Sequence, residues 1–436
     1  MPDSIEIQPL AKPLDAVVRP PGSKSLTNRA LVCAALADGR STLRGALDSE
    51  DTQVMVDGLR ALGFAIEERP KDQQIVVTGQ GGRIPEKFAD LYVANSGTTV
   101  RFLTAVAALG EGIYRLHGTP RMHERPIQDL LDALASIGVD AGCEQPTRCP
   151  PVMVRADGLR LTTASIRGDV SSQFLTALLM VAPCAEGPSD AHVEIEIVGP
   201  LVSKPYVQMT AAVMEAFGAS VAFRPQLSHV EIARSGYQPC DYDIEPDASA
   251  ASYFWAAAAI AGGSVTVEGL GKNSLQGDVA FCDCLERMGC QVRYEDGRTT
   301  VVGRPLRGID VDMNSISDTV QTLAAVALYA DGPTTIRGVG HIRHKETDRI
   351  GALATELRKV GADVVETADG LTIEPKAPVH GATIDTYDDH RMAMSLALVG
   401  LKTPGIVIND PGCTAKTYPR FFEDLAALGS SSAPRN

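Results

Sequence analysis

The sequence predicts an α/β protein assembled from six copies of one unit, with buried helices and mixed sheets outside them. Three observations carry this expectation. Amphipathic stretches end in a glycine step six times ("LRALGFAI", "LASIGVDA", "MEAFGASV", "LERMGCQV", "LRKVGADV" and "LAALG"), at intervals of roughly 70 to 80 residues. Six polar clusters, marked by Ser25, Thr98, Ser172, Ser249, Asp318 and His390, open apolar stretches at a similar period. A third phrase also recurs: "LADGRSTLRG" at 36–45, "YADGPTTIRG" at 329–338 and, more loosely, "IAGGSVTVEG" at 260–269.

Each element of the unit has a local reason. The opening helices, such as "GSKSLTNRALVCAAL", "NSGTTVRFLTAVAAL" and "DASAASYFWAAAAI", are apolar nearly all round, the pattern of a buried helix. Ser, Thr, Asp and Asn at their starts are N-cap residues. A glycine stop and a β-branched strand follow. A second, amphipathic helix ends at Gly63, Gly138, Gly218, Gly289, Gly361 or Gly429, each placed as a helix C-cap. Two further strands close the unit.

The bulk numbers bound the rest. A chain of 436 residues suggests roughly two to four domains. The hydrophobic and charged fractions, 44% and 22%, are those of a folded globular protein. A net charge of −14 argues against general nucleic-acid binding or attraction to an anionic membrane. Any cations that bind an anionic substrate must therefore be gathered locally. Nine cysteines without CxxC pairs or zinc spacing fit a reducing compartment, and Cys282 and Cys284 read as helix packing. The start "MPDSIEIQPLAKPL" has no signal- or transit-peptide pattern, and "TALLMVAPCA" and "WAAAAIAGG" are too short to span a bilayer. A cytoplasmic monomer acting on small molecules is expected, with neither nucleic acid nor membrane as partner.

The chemistry begins at "PPGSKSLTNRALVCAALADG", residues 20–39. Helix N-termini bind anions, but this is not the nucleotide phosphate loop, because Ser23 separates Gly22 from Lys24. Lys24, Arg29, Gln173, Asp318 and Arg391 exceed what capping requires. Buried helices whose N-termini share a face would concentrate positive dipole there. A second set of loops follows the first strand of each unit: "LDSEDT", "PRMHERPIQ", "PLVSKPY", "KNSLQGD", "GHIRHKETDRI" and "PGCTAKTYP". The densest carries Arg343, Lys345, Glu346, Asp348 and Arg349. A charge run is usually a solvated helix face, but this one sits where other units place Arg125, Ser203 and Lys416. Neither His341 nor His344 belongs to a metal motif, so no metal ligand is assigned. No G-x-S-x-G elbow or dinucleotide fingerprint occurs.

These motifs, with "RMHERPI", "DVSSQFLTALLM", "LVSKPY", "KETDRI", "DDHRMAM" and "CTAKTYP", resemble those of the 5-enolpyruvylshikimate-3-phosphate synthase family, in order from about residue 20 to the end. The resemblance implies the inside-out α/β barrel of the enolpyruvyl transferases, a pair of domains each of three βαβαββ repeats. One domain would span 22–244 and carry the shikimate 3-phosphate face. The other would join 1–21 to 245–436 and carry the catalytic Asp and Glu with part of the phosphoenolpyruvate site. The implied reaction moves the enolpyruvyl group of phosphoenolpyruvate onto the 5-hydroxyl of shikimate 3-phosphate. It passes through a tetrahedral adduct, releases phosphate and needs no metal or organic cofactor; it lies on the shikimate pathway to chorismate and the aromatic amino acids.

Carried over by motif, shikimate 3-phosphate falls to Lys24, Ser25, Arg29, Ser171, Ser172, Gln173, Ser203, Tyr206, Asp318, His341 and Lys345. Phosphoenolpyruvate falls to Lys24, Asn95, Gly97, Arg125, Gln173, Arg349, Arg391 and Lys416. Planar guanidinium forks suit both jobs. Asp318 is the implied base for the 5-hydroxyl and Glu346 the proton donor to the enolpyruvyl methylene, with Lys24 the third catalytic residue. Two positions depart from the family pattern: His341 replaces a frequent Asn, and Phe102 replaces a frequent Pro after Arg101. The resemblance also implies sensitivity to glyphosate, with the Cβ of Gly97→Ala expected to crowd that inhibitor more than the substrate. Two alternatives are a UDP-N-acetylglucosamine enolpyruvyl transferase, against which Lys24-Ser25 speaks, and a binding protein that has lost turnover, which would be expected to lack Asp318 or Glu346.

Overall fold

The computed structural model describes residues 2–188 and 191–429. The chain divides into two compact units, Gly22–Ile244 on the one hand and Met1–Pro21 with Glu245–Asn436 on the other.

In the 22–244 unit the helices are α1 (Lys24–Leu36), α2 (Glu50–Ala61), α3 (Gly97–Ala107), α4 (Gln128–Ser136), α5 (Ser172–Val181) and α6 (Lys204–Ala216). Every residue of α3, and all of α1 from Leu26 onward, is buried. The helices α2, α4 and α6 bury one face only. The strands form three four-stranded sheets, each with one parallel and two antiparallel contacts. Phe88–Tyr92, for example, runs parallel to Glu111–His117, which pairs antiparallel with Val152–Asp157, and that strand with Asp140–Cys143. Alternation sets the inner face: His192–Val198 buries Val193, Ile195 and Ile197, while His192, Glu196 and Val198 face outward.

The other unit repeats the plan with α7 (Ala248–Ala261), α8 (Phe281–Arg287), α9 (Val320–Ala327), α10 (Arg349–Lys359), α11 (His390–Gly400) and α12 (Phe421–Ala427). Cys282 and Cys284 pack on the buried side of α8. The C-cap glycines carry the left-handed backbone their role requires, with φ of 95° at Gly63, 89° at Gly138, 83° at Gly218, 116° at Gly289 and 102° at Gly361. Among the described residues no helix is long and apolar enough to cross a membrane.

Two features differ from a plain sixfold repeat. The sixth unit has no pair of closing strands after α12 among the described residues; Ser4–Ile7 instead pairs antiparallel with Ile406–Asn409, whose other edge takes Thr383–Ile384 in parallel. Each of the two compact units also completes a sheet with a strand distant along the chain. Leu14–Val18 lies parallel to Gly263–Glu268, and Asp241–Asp243 parallel to Arg40–Arg44. An exposed strand edge invites pairing, and these segments cover it. The second difference is at Asp318. It does not open a helix; it lies in a 3-10 stretch, Asn314–Thr319, with a kink at Ile316 (φ −129°, ψ 37°), and α9 starts only at Val320.

Candidate active site

In the 22–244 unit the polar residues cluster around helix starts. The Ser23 hydroxyl accepts the Leu26 amide and caps α1, leaving Lys24 and Ser25 in the first turn. One turn on, Arg29 is buried. It donates from Nε to Thr210 Oγ1 (2.8 Å), from Nη1 to the Ser25 carbonyl (2.9 Å) and from Nη2 to the Tyr206 carbonyl (3.4 Å). Its guanidinium stacks 5.4 Å from the Phe102 ring centroid. Burial, the largest influence, lowers its pKa to about 10, so it stays cationic at neutral pH. Thus α1, α3 and α6 meet at one cation, with Tyr206 and Phe102 as its walls. Ser203, which precedes α6, sits in the left-handed region at φ 52°.

A second knot joins α3 and α5. Arg101 donates to Gln173 Oε1 (2.5 Å) and to the Pro126 carbonyl (2.9 Å), and stacks 5.2 Å from the Phe174 ring. Gln173 Nε2 reaches Thr98 Oγ1 (3.3 Å), and Ser171 caps α5 through the Gln173 amide (3.2 Å), with Ser172 next in the helix. Arg125 donates to the carbonyl and side-chain oxygens of Asn95 (2.8 and 3.2 Å). Gly97 lies against both arginines: a Cβ there would come within 3.0 Å of Arg101 Nη1 and of the Arg125 guanidinium. A methyl at Gly97 would therefore press on two protein arginines as well as on any ligand bound beside them.

In the other unit the cations face carboxylates. Asp318 Oδ1 accepts from Lys345 Nζ (2.5 Å) and Arg349 Nη1 (3.4 Å), and Oδ2 from Arg391 Nη2 (2.8 Å). Glu346 accepts from Lys416 Nζ (3.0 Å) and Arg349 Nη2 (2.8 Å). Arg349 is 1% exposed and grips Asp389 with Nε (2.7 Å) and Nη2 (3.2 Å). Burial alone would lower its pKa, but Asp389 and Glu346 outweigh it and the pKa rises. Burial also lowers the pKa of Lys345, with Asp318 opposing. His341 belongs to the same neighbourhood: burial first and Lys345 second push its pKa down to about 3. In the ligand-free site it is therefore a neutral imidazole near neutral pH.

Sequence reasoning missed four members of these clusters. Asp389 reads as the N-cap of α11, which it is, accepting from the Arg391 amide at 2.9 Å. Its grip on Arg349 lies across the fold. Arg101 had a usable signal, a charged residue inside an otherwise apolar helix. Asp278 is buried, accepts the Ser249 hydroxyl, and has its pKa raised to about 6 by burial first and Asp318 second. Glu356 reads as an ordinary charge on an amphipathic helix, yet it is fully buried.

Fold and charge pattern together define an enolpyruvyl-transferase-like α/β protein. The EPSP synthase of Acinetobacter baumannii superposes with a TM-score of 0.79 at 25% identity, covering 98% of each chain. The enolpyruvyl transferase NikO from Streptomyces tendae shares the fold, with a TM-score of 0.75 at 23% identity over 98% of this chain and 99% of that one. A family model described as EPSP synthase (3-phosphoshikimate 1-carboxyvinyltransferase) matches residues 10–425. The 3-phosphoshikimate 1-carboxyvinyltransferase of Nostoc punctiforme is 51% identical over 421 residues, 96% of this chain and 98% of that one. The chloroplastic enzyme of Arabidopsis thaliana is 47% identical over 442 residues, 97% of this chain and 84% of its own. The chain belongs to the EPSP synthase family. It is a transferase of that activity, and the UDP-N-acetylglucosamine reading is set aside.

Proposed function

We infer that the chain moves the enolpyruvyl group of phosphoenolpyruvate onto the 5-hydroxyl of shikimate 3-phosphate with the two residue sets just described. In the 22–244 unit, Ser25, Arg29, Ser171, Ser172, Ser203 and Tyr206 are the proposed sugar-phosphate ligands, with Lys24 and Gln173 serving both substrates. Asn95, Gly97 and Arg125 are assigned to phosphoenolpyruvate. In the other unit, Lys345 and His341 are assigned to shikimate 3-phosphate, and Arg349, Arg391 and Lys416 to phosphoenolpyruvate. What supports Arg29 most is its burial among neutral acceptors, since an anion brought there meets a full positive charge.

The observation that carries the chemistry is the pairing of Asp318 and Glu346 with those same cations. Asp318 takes the proton from the 5-hydroxyl as its oxygen bonds to C2 of phosphoenolpyruvate, and Glu346 gives a proton to C3. Loss of phosphate and of a C3 proton then restores the double bond. A carboxylate that accepts from Lys416 and Arg349 must be freed of them before it can carry a proton. Substrate carboxylate and phosphate competing for those cations would do this, so binding prepares the acid. We place the reaction in the cytoplasm, supported by nine cysteines that all stand as thiols, and on a monomer. A coupled assay of phosphate release tests the reading. Release is expected only when phosphoenolpyruvate and shikimate 3-phosphate are both present; release with UDP-N-acetylglucosamine in place of the sugar phosphate would overturn it.

A further inference from the structure

The loop that delivers Asp389 and Arg391 has an unusual shape. Tyr387 and Asp388 both lie in the left-handed region, at φ 56° and 53°, where side chains other than Gly are strained. Two consecutive residues of this kind persist only if their surroundings hold them. The holder is Glu356, fully buried on α10. Its Oε1 accepts the Tyr387 hydroxyl at 2.6 Å, and its Oε2 accepts the Asp385 amide at 3.0 Å. One carboxylate therefore ties the entrance of the bend to its middle. Lys359 adds a second layer, meeting Glu356 Oε2 at 2.8 Å and Asp385 Oδ2 at 2.7 Å, and Asn409 holds the other Asp385 oxygen at 2.8 Å.

Immediately after the bend, the Asp389 amide donates to the Thr386 carbonyl at 2.9 Å, and its side chain grips Arg349. Arg349 opens the same helix that carries Glu356 about two turns further along, and so on nearly the same face. Thus α10 grips the loop twice, once at Asp389 and once at Asp385 and Tyr387. We propose that Glu356 is a positioning residue for the transfer reaction. Acting through Tyr387, it holds the 385–389 bend so that Asp389 orients Arg349 and Arg391 reaches Asp318. The Tyr387 hydroxyl is pushed up to about 12, burial first and Glu356 second, so it stays a donor across the working pH range.

This rests on the assignment of Arg349 and Arg391 to phosphoenolpyruvate, and the test separates the two. Tyr387→Phe removes one hydroxyl from a part-exposed ring and leaves the core intact; Glu356→Gln keeps the shape and weakens the tie. Both are expected to speed amide exchange over 385–391 with the melting temperature nearly unchanged. Both should raise KM for phosphoenolpyruvate about fivefold or more while KM for shikimate 3-phosphate stays within twofold. The double variant should be no worse than the poorer single one, because both cut the same tie. Unchanged exchange over 385–391 in Tyr387→Phe overturns the proposal, whatever the substrate. Faster exchange with both Michaelis constants unmoved leaves the bend tied by Glu356 but refutes its role in the reaction. If Arg391→Lys also leaves KM for phosphoenolpyruvate unmoved, it is the ligand assignment that has failed.

Discussion

The two units hold their cations in opposite ways. In the 22–244 unit Arg29 is bound by a hydroxyl, two carbonyls and aromatic faces, and Arg101 and Arg125 donate to amide and backbone oxygens. In the other unit Lys345, Arg349, Arg391 and Lys416 all meet carboxylates. An anion reaching Arg29 meets a buried positive charge held by neutral oxygens. An anion reaching the cations of the other unit must compete, and each competition releases a carboxylate. The first arrangement suits holding a substrate, the second suits moving protons.

The largest effect that would sharpen this contrast is on turnover. Asp318→Ala is expected to lower kcat by about 10²–10⁴-fold, the usual worth of a positioned base, while sugar-phosphate affinity changes far less. A loss of less than about tenfold in single-turnover measurements would end its role as base. Next comes Arg29→Met, which keeps bulk and removes charge. It should raise KM for shikimate 3-phosphate by roughly ten- to a hundredfold, the range for a lost hydrogen bond to a charged group, with kcat less affected. An unchanged KM would show that Arg29 serves only to pack α1 against α6.

Asp278 tests the carboxylate-rich side through stability. Its pKa is raised from an ordinary 3.8 to about 6, burial first and Asp318 second. Between those values the folded state binds more protons than the unfolded one, so stability falls as pH rises through that window and the whole penalty is present above it. Asp278→Asn should therefore be more stable than the parent at pH 8, by a free energy on the order of 3 kcal/mol, and show little difference near pH 4. A variant less stable than the parent at pH 8 would mean that the ionised Asp278 is held favourably. Gly97→Ala gives the smallest of these effects. Because the methyl pushes on Arg125 and Arg101, the Michaelis constant for phosphoenolpyruvate and the glyphosate inhibition constant should both rise, by about fivefold or more, a loss of roughly 1 kcal/mol. A rise in the inhibition constant alone would restore a direct clash with the inhibitor.

What was legible in the sequence was local. Apolar helices with polar starts became α1, α3 and α5, and the spaced glycines took left-handed φ at five helix ends. Lys345, Arg349, Arg391 and Lys416 could be named because cations in repeated loop positions stand out, and Asp318 and Glu346 because their motifs carry them. Asp389 as the partner of Arg349 could not. Arg349 and Asp389 are forty residues apart in sequence, and a carboxylate at a helix start looks like a cap whether or not it also holds an arginine. Glu356 has the spacing of a surface charge, and only tertiary packing puts it at the bottom of a bend. The strand Ser4–Ile7 likewise carries no local sign that its partner is Ile406–Asn409.

That last pairing has a consequence for how the chain is made. The 22–244 unit is continuous and closes its own sheet with Asp241–Asp243, so it can finish folding while the remainder is still being synthesised. Ser4–Ile7 is made roughly four hundred residues before its partner and must wait until Ile406–Asn409 appears. A segment made before the 22–244 unit thus finds its place only after that unit has been synthesised, and synthesis alone imposes an order of assembly in which one unit can be complete before the other closes.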